Sequence, residues 1–142
     1  MNYHVKQMDK QSWAGLSEYA HSVCFEEVKP TENDRIDYAL VCYDDDSKPM
    51  SYVTCREFDS ETVYWQFGGA FPETKGTIKS YKSYMAMTAW TSERYKRITT
   101  LIENDNTVML KFAMKIGYKI IGTRNFKGSV LLEHLLEFDQ GE

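Results

Sequence analysis

The stretch Asn104-Asp105-Asn106-Thr107-Val108-Met109-Leu110-Lys111-Phe112-Ala113-Met114-Lys115-Ile116-Gly117-Tyr118 decides how this chain is read. Asn106 is a good residue to start a helix. Its side-chain oxygen can accept a bond from a backbone N–H that the first turn leaves unpaired. Met109, Phe112, Ala113 and Ile116 then recur at helical spacing and give one apolar face. Gly117 suits the left-handed position that closes a helix. The chain passes from there straight into a strand pattern over residues 119–126.

Working outward, residues 3–8 read as a short edge strand. Asp9 caps a helix carrying Trp13, Leu16, Tyr19, Ala20 and Val23 at three- and four-residue steps. Residues 26–35 are polar, broken by Pro30, and read as loop. Strands follow over 36–43, 50–58 and 62–71, separated by Asp44-Asp45-Asp46-Ser47-Lys48-Pro49 and Asp59-Ser60-Glu61 as turns. In the third strand Val63, Trp65 and Phe67 alternate against Tyr64, Gln66 and Gly68. Residues 72–77 form a loop, and 78–95 a helix with Ile78, Tyr81, Met85, Thr88 and Ala89 on one stripe. A strand over 97–102 puts Ile98, Thr100 and Ile102 on one side. The helix 106–116, the strand 119–126, a turn at Gly128 and a last strand over 129–138 complete the chain. A helix between the strands 62–71 and 97–102 is a crossover suited to parallel neighbours.

The element order is β-α-β-β-β-α-β-α-β-β. Asn106 stands eleven residues before Gly117, an aromatic follows the glycine, and a strand comes next. Order and motif together resemble the GNAT superfamily of N-acyltransferases (GCN5-related acetyltransferases) over nearly the whole of residues 1–142, read as one domain. The resemblance implies an α/β (α+β) fold with a mixed central sheet of about seven strands and helices on both faces. It also implies acetyl-CoA as acyl donor and direct attack by an amine of unidentified class. In this family a loop before the helix holds the CoA pyrophosphate on backbone N–H groups, and glycines let the phosphate approach. Pro72-Glu73-Thr74-Lys75-Gly76-Thr77-Ile78-Lys79-Ser80 occupies that place. The cofactor-binding residues carried over are Ala70, Phe71, Lys75, Gly76, Thr77, Ile78, Lys79, Ser80, Asn106 and Phe112. Lys75 and Gly76 match a basic residue and the first glycine, whereas Ile78 and Ser80 stand where later glycines are usual. Many members carry a tyrosine acid seven residues after the Asn. Here that position is Ala113, and no catalytic residue is assigned. Glu61 reads as part of a solvated turn and Glu103 as a surface carboxylate near the cleft mouth. His134 reads as a lone strand histidine, structural or exposed. The alternative is a GNAT fold kept as a non-catalytic structural or interaction protein, as among small virion-associated proteins of tailed phages.

Composition narrows the classes further. Hydrophobic residues make up 42% and aromatics 14%, enough to bury a core. A formal net charge of −4 argues against a general nucleic-acid binder. No apolar run is long enough for a membrane span. Cys24, Cys42 and Cys55 lack paired metal spacing and read as reduced thiols of a cytoplasmic protein, with no metal expected. The triple Asp reads as a solvated hairpin tip. A homodimer is compatible with the sequence.

Overall fold

The structure, a computed structural model, describes residues 2–16 and 36–138. The expected helix positions Tyr19, Ala20 and Val23, the loop over 26–35, and Cys24 lie outside the described residues. Seven strands form one sheet in the order β1-β2-β3-β4-β5-β7-β6. They are β1 His4–Asp9, β2 Tyr38–Tyr43, β3 Pro49–Glu57, β4 Thr62–Ala70, β5 Arg97–Glu103, β6 Lys119–Phe126 and β7 Ser129–Glu137. Helix α1 begins at residue 10 and is described to 16; α2 spans Ile78–Ser92 and α3 spans Thr107–Ile116. All neighbouring strands are antiparallel except β4 and β5, which are parallel, as the crossover through α2 requires.

Both faces of the sheet are covered where the core is thickest. Residues of β2 alternate between two clusters: Tyr38, Leu40 and Cys42 face one side, Ala39 and Val41 the other. The first cluster includes Tyr84 and Met87 of α2 and Ala113 of α3. The second holds Trp13 of α1 against Tyr52, with ring centroids 4.9 Å apart. This two-sided burial explains why Tyr-Ala-Leu-Val-Cys-Tyr reads as a continuous apolar run.

Two sequence expectations are corrected. First, α2 ends at Ser92 rather than residue 95, and its buried face is Ser83, Tyr84, Met87, Thr88 and Thr91. Ile78 and Met85, expected on the apolar stripe, are exposed. Polar residues can occupy the inner face because their hydroxyls donate back to the helix. Ser83 bonds the Ser80 carbonyl at 2.8 Å, Thr88 that of Tyr84 at 2.8 Å, and Thr91 that of Met87 at 2.8 Å. Second, the alternation along β4 is broken. Cys55 pairs with Trp65 and Thr54 with Phe67, so Gln66 is an extra residue, a β-bulge. Beyond it Gly68 pairs with Val53 and points at Tyr84, on the face of Val63 and Trp65.

Candidate functional site

A cleft opens where β4 and β5 part. They pair only through Thr62↔Arg97, Val63↔Ile98, Tyr64↔Thr99 and Trp65↔Thr100. After that β4 follows β3 as far as Ala70↔Ser51, while β5 follows β7 as far as Glu103↔Leu131. At the apex the Thr100 hydroxyl donates to the Trp65 carbonyl at 2.9 Å. The opposite, closed end is tied. Arg97 donates to Thr62 Oγ1 at 2.9 Å, and the Glu61 carboxylate lies 3.5 Å from both Lys96 and Arg97. The Tyr38 hydroxyl donates to that of Tyr95 at 3.1 Å, and Tyr95 donates to the Glu57 carboxylate. Burial and the Glu57 bond push the Tyr95 phenol up to about 12, and burial pushes Tyr38 higher still. Glu61 therefore belongs to this closing clamp, at the end away from the cleft.

Because β4 and β5 are parallel, the helices that follow them, α2 and α3, both begin at the open end. Each presents unpaired N–H groups and the positive end of its dipole there. Neither has an acidic residue in its first turn, which favours an anion.

The loop before α2 is fixed from beneath. Phe71 is buried beside Tyr52, with centroids 6.1 Å apart, so its ring belongs to the core. Its carbonyl accepts from Thr74 N at 2.9 Å and Lys75 N at 3.0 Å. The buried Thr74 hydroxyl donates to the Met50 carbonyl at 2.6 Å and lies 3.0 Å from that of Phe71. Ser83 is anchored to Ser51 at 2.7 Å. Its own proton goes to Ser80, so Ser51 is the donor. Gly76 has φ +75°, and a Cβ there would meet nothing within 4 Å. The glycine thus serves the left-handed turn and leaves its outer side open. Thr77 is the N-cap of α2 but makes no side-chain cap bond; its hydroxyl donates to the Thr74 carbonyl at 2.6 Å instead. Ile78 is 68% exposed at the first helical position, so its side chain stands outward. Lys75 and Lys79 are exposed, and Ser80 N bonds the Thr77 carbonyl at 3.1 Å.

Across the opening, Asn106 caps α3 as its sequence position predicts, accepting from Met109 N at 3.2 Å. Gly117 closes the helix at φ +114°. Phe112 packs edge-on to Tyr81 and Tyr84 of α2, each at 5.4 Å, and Lys115 Nζ lies 4.5 Å above the Tyr81 ring. The structure therefore brings residues 75–80 and Asn106 to the same open edge, with Phe112 joining the two helices behind them. Ala113 is 3% exposed and belongs to the core cluster with Tyr118 and Leu136. Glu103 is exposed, while His134 is fully buried. Two features escaped the sequence reading, the bulge at Gln66 and the clamp built on Tyr38 and Tyr95. The Gly68-Gly69 pair after Gln66 was the available signal for the bulge. Among the described residues no cluster of three metal-ligating side chains occurs, and no helix is long and apolar enough to cross a membrane.

No protein-family model matches the sequence, and a search of curated proteins finds no match. Solved structures do match. The ribosomal-protein-S18-alanine N-acetyltransferase from Escherichia coli superposes with a TM-score of 0.76 at 5% identity, covering 99% of this chain and 97% of its own. A GNAT-family acetyltransferase from Streptococcus pneumoniae gives 0.70 at 11% identity, covering 97% and 100%. The Salmonella typhimurium protein yncA, solved with its cofactor acetyl-CoA, gives 0.68 at 14% identity, covering 100% and 97%. The chain has the GNAT fold.

Proposed function

We propose that this protein is an acyl-CoA-dependent N-acyltransferase, with acetyl-CoA as donor and an amine as acceptor. One observation carries the reading. The parallel strands β4 and β5 part after four residue pairs, and two helix N-termini with no acidic residue in the first turn flank the opening. Such an edge suits a diphosphate at α2 and an extended chain entering between the strands. The loop residues fit this use, since Gly76 leaves open space and Ile78 turns outward without removing any backbone N–H. Lys75 and Lys79 add positive charge at the rim. The reaction asks little else of side chains. A neutral amine attacks the thioester carbonyl, the C–N bond forms, the C–S bond breaks, the amine nitrogen releases one proton to solvent and the thiolate takes one up. The chain's contribution is positioning and backbone donors. That economy accommodates an alanine at position 113. The lack of an acid at the buried Ala113 favours the second reading, a GNAT fold kept as a non-catalytic structural or interaction protein, and the same experiment separates the two.

Acetyl-CoA should raise the melting temperature in a dose-dependent way, because it binds the folded chain alone. Asn106→Asp should keep the cap, since both side chains accept the same bond, while reducing the acetyl-CoA shift by placing charge beside an anionic ligand. Lys75→Glu should reduce it too. Binding together with thiol release in a panel of primary amines supports the enzyme. Binding without turnover on any amine supports the second reading, and absence of any shift at millimolar acetyl-CoA refutes the cofactor site.

A further inference from the structure

At the apex of the cleft, Trp65, Thr100 and His134 stand side by side in one row across β4, β5 and β7. Trp65 is 5% and His134 0% exposed, and both lie on the face that packs against α2 and α3. Each has a buried ring nitrogen, Trp65 Nε1 and His134 Nε2, with no hydrogen-bond partner among the described residues. Their chemistry is complementary. Indole N–H can only donate. His134 Nδ1 lies 2.9 Å from the Leu132 carbonyl, which can only accept, so Nδ1 carries a proton, and in that tautomer Nε2 is an acceptor. Thr100 sits between them. Its hydroxyl proton goes to the Trp65 carbonyl, which leaves its oxygen able to accept.

We infer that the apex is a binding site for one buried water molecule, which accepts from Trp65 Nε1 and donates to His134 Nε2 and Thr100 Oγ1. A buried water typically makes about three hydrogen bonds, and this row supplies three of the correct polarity. Trp65 and His134 are two strand spacings apart, roughly 10 Å between backbones. One water reaches between nitrogens about 5–6 Å apart, so the bridge requires the indole and the imidazole to lean toward each other over Thr100. Orphaned buried donors and acceptors are rare, and a complementary pair flanking a third polar group is the arrangement that a single water satisfies. Such a water would join β4 to β7 over β5 at the point where β4 and β5 part, and so fix where the cleft begins. The inference concerns the resting protein and is independent of the proposed activity.

The test uses the whole chain. In NMR spectra of the 15N-labelled protein, the Trp65 indole N–H is identified by its loss in Trp65→Phe. It should show a cross-peak to a long-lived water, and His134 Nε2 should carry the 15N shift of a hydrogen-bonded, unprotonated nitrogen. Thr100→Val should weaken that cross-peak and speed exchange of the indole proton at least several-fold. Trp65→Phe combined with His134→Gln should lower the melting temperature by less than the sum of the single changes, because both break the same bridge. An indole proton without a water cross-peak, or with unchanged exchange in Thr100→Val, overturns the inference. Additive melting losses overturn it as well. If His134→Gln fails to fold, the first two readouts still decide.

Discussion

Gly68→Ala tests how α2 is seated over β4. A Cβ at Gly68 would lie 3.0 Å from Tyr84 Oη, 3.2 Å from the Tyr52 carbonyl and 3.6 Å from Val53 Cγ2. The carbonyl is part of the β3–β4 ladder and stays in place, so the Tyr84 side chain must give. Its hydroxyl donates to that same Tyr52 carbonyl at 3.3 Å, and displacement sacrifices a bond worth about 1 kcal/mol. The Tyr84 ring also moves against Phe112, an edge contact worth about 0.5–1.5 kcal/mol, of which a part is lost. Removing a glycine from a strand returns about 0.5–1 kcal/mol. The net cost is about 1 kcal/mol, or about 3–4 °C in a chain of this size. Tyr84→Phe removes the nearer of the two tight contacts and leaves that to the Tyr52 carbonyl. In that background Gly68→Ala should cost clearly less. Urea titrations of the four proteins measure the cycle, and an equal loss in both backgrounds would refute the seating described.

The remaining predictions concern other parts of the molecule. Ala113→Tyr should not create a working acid; it should destabilise by about 2–3 kcal/mol, because it forces a phenol into the packed cluster of Tyr118 and Leu136, and denaturant midpoints will show it. The clamp tyrosines make stability sensitive to alkali. The unfolded chain releases phenol protons near 10 while the folded chain keeps that of Tyr95 to about 12 and that of Tyr38 beyond, so stability is complete below pH 10 and falls as pH rises through that window. Tyr38→Phe should flatten the fall in guanidinium midpoints between pH 9 and 12; an unchanged slope would count against the clamp. Burial raises the Cys42 thiol to about 11 and the Cys55 thiol as well, so peptide mapping after alkylation of the native protein at pH 8 should find both unmodified, and rapid labelling of either would contradict their packing.

Local chemistry made much of this fold legible. Asn106 and Gly117 sit at the two ends of α3 because capping depends on side-chain type and on φ, both written in single residues. β-branched and aromatic runs bounded by turn residues placed every described strand within a few residues. What the sequence concealed depends on partners. Ser83 and Thr91 look like a solvated face until their hydroxyls turn back onto helix carbonyls. The parity change in β4 arises from pairing with Thr54 and Cys55, which periodicity along one strand does not contain. Helical spacing put Ala113 on the apolar face of α3, as its burial bears out, but which residues cover it, Tyr118 and Leu136 among them, was not written in that spacing. Histidine 134 gave no signal in sequence of the carbonyl that receives its proton.

The seating of the loop before α2 has an evolutionary consequence. Thr74 grips the backbone oxygen of Met50, two amides converge on the carbonyl of Phe71, and Ser51 holds Ser83. The groups that would meet a ligand at this edge are main-chain amides, present whatever residue occupies the position. Selection acting on such a loop sees its path and hardly its letters. Ile78 and Ser80 stand on that path without altering its main-chain anchors. A path held by main-chain bonds persists when side chains change, and this chain, 5–15% identical to those solved structures, overlays them along nearly its whole length.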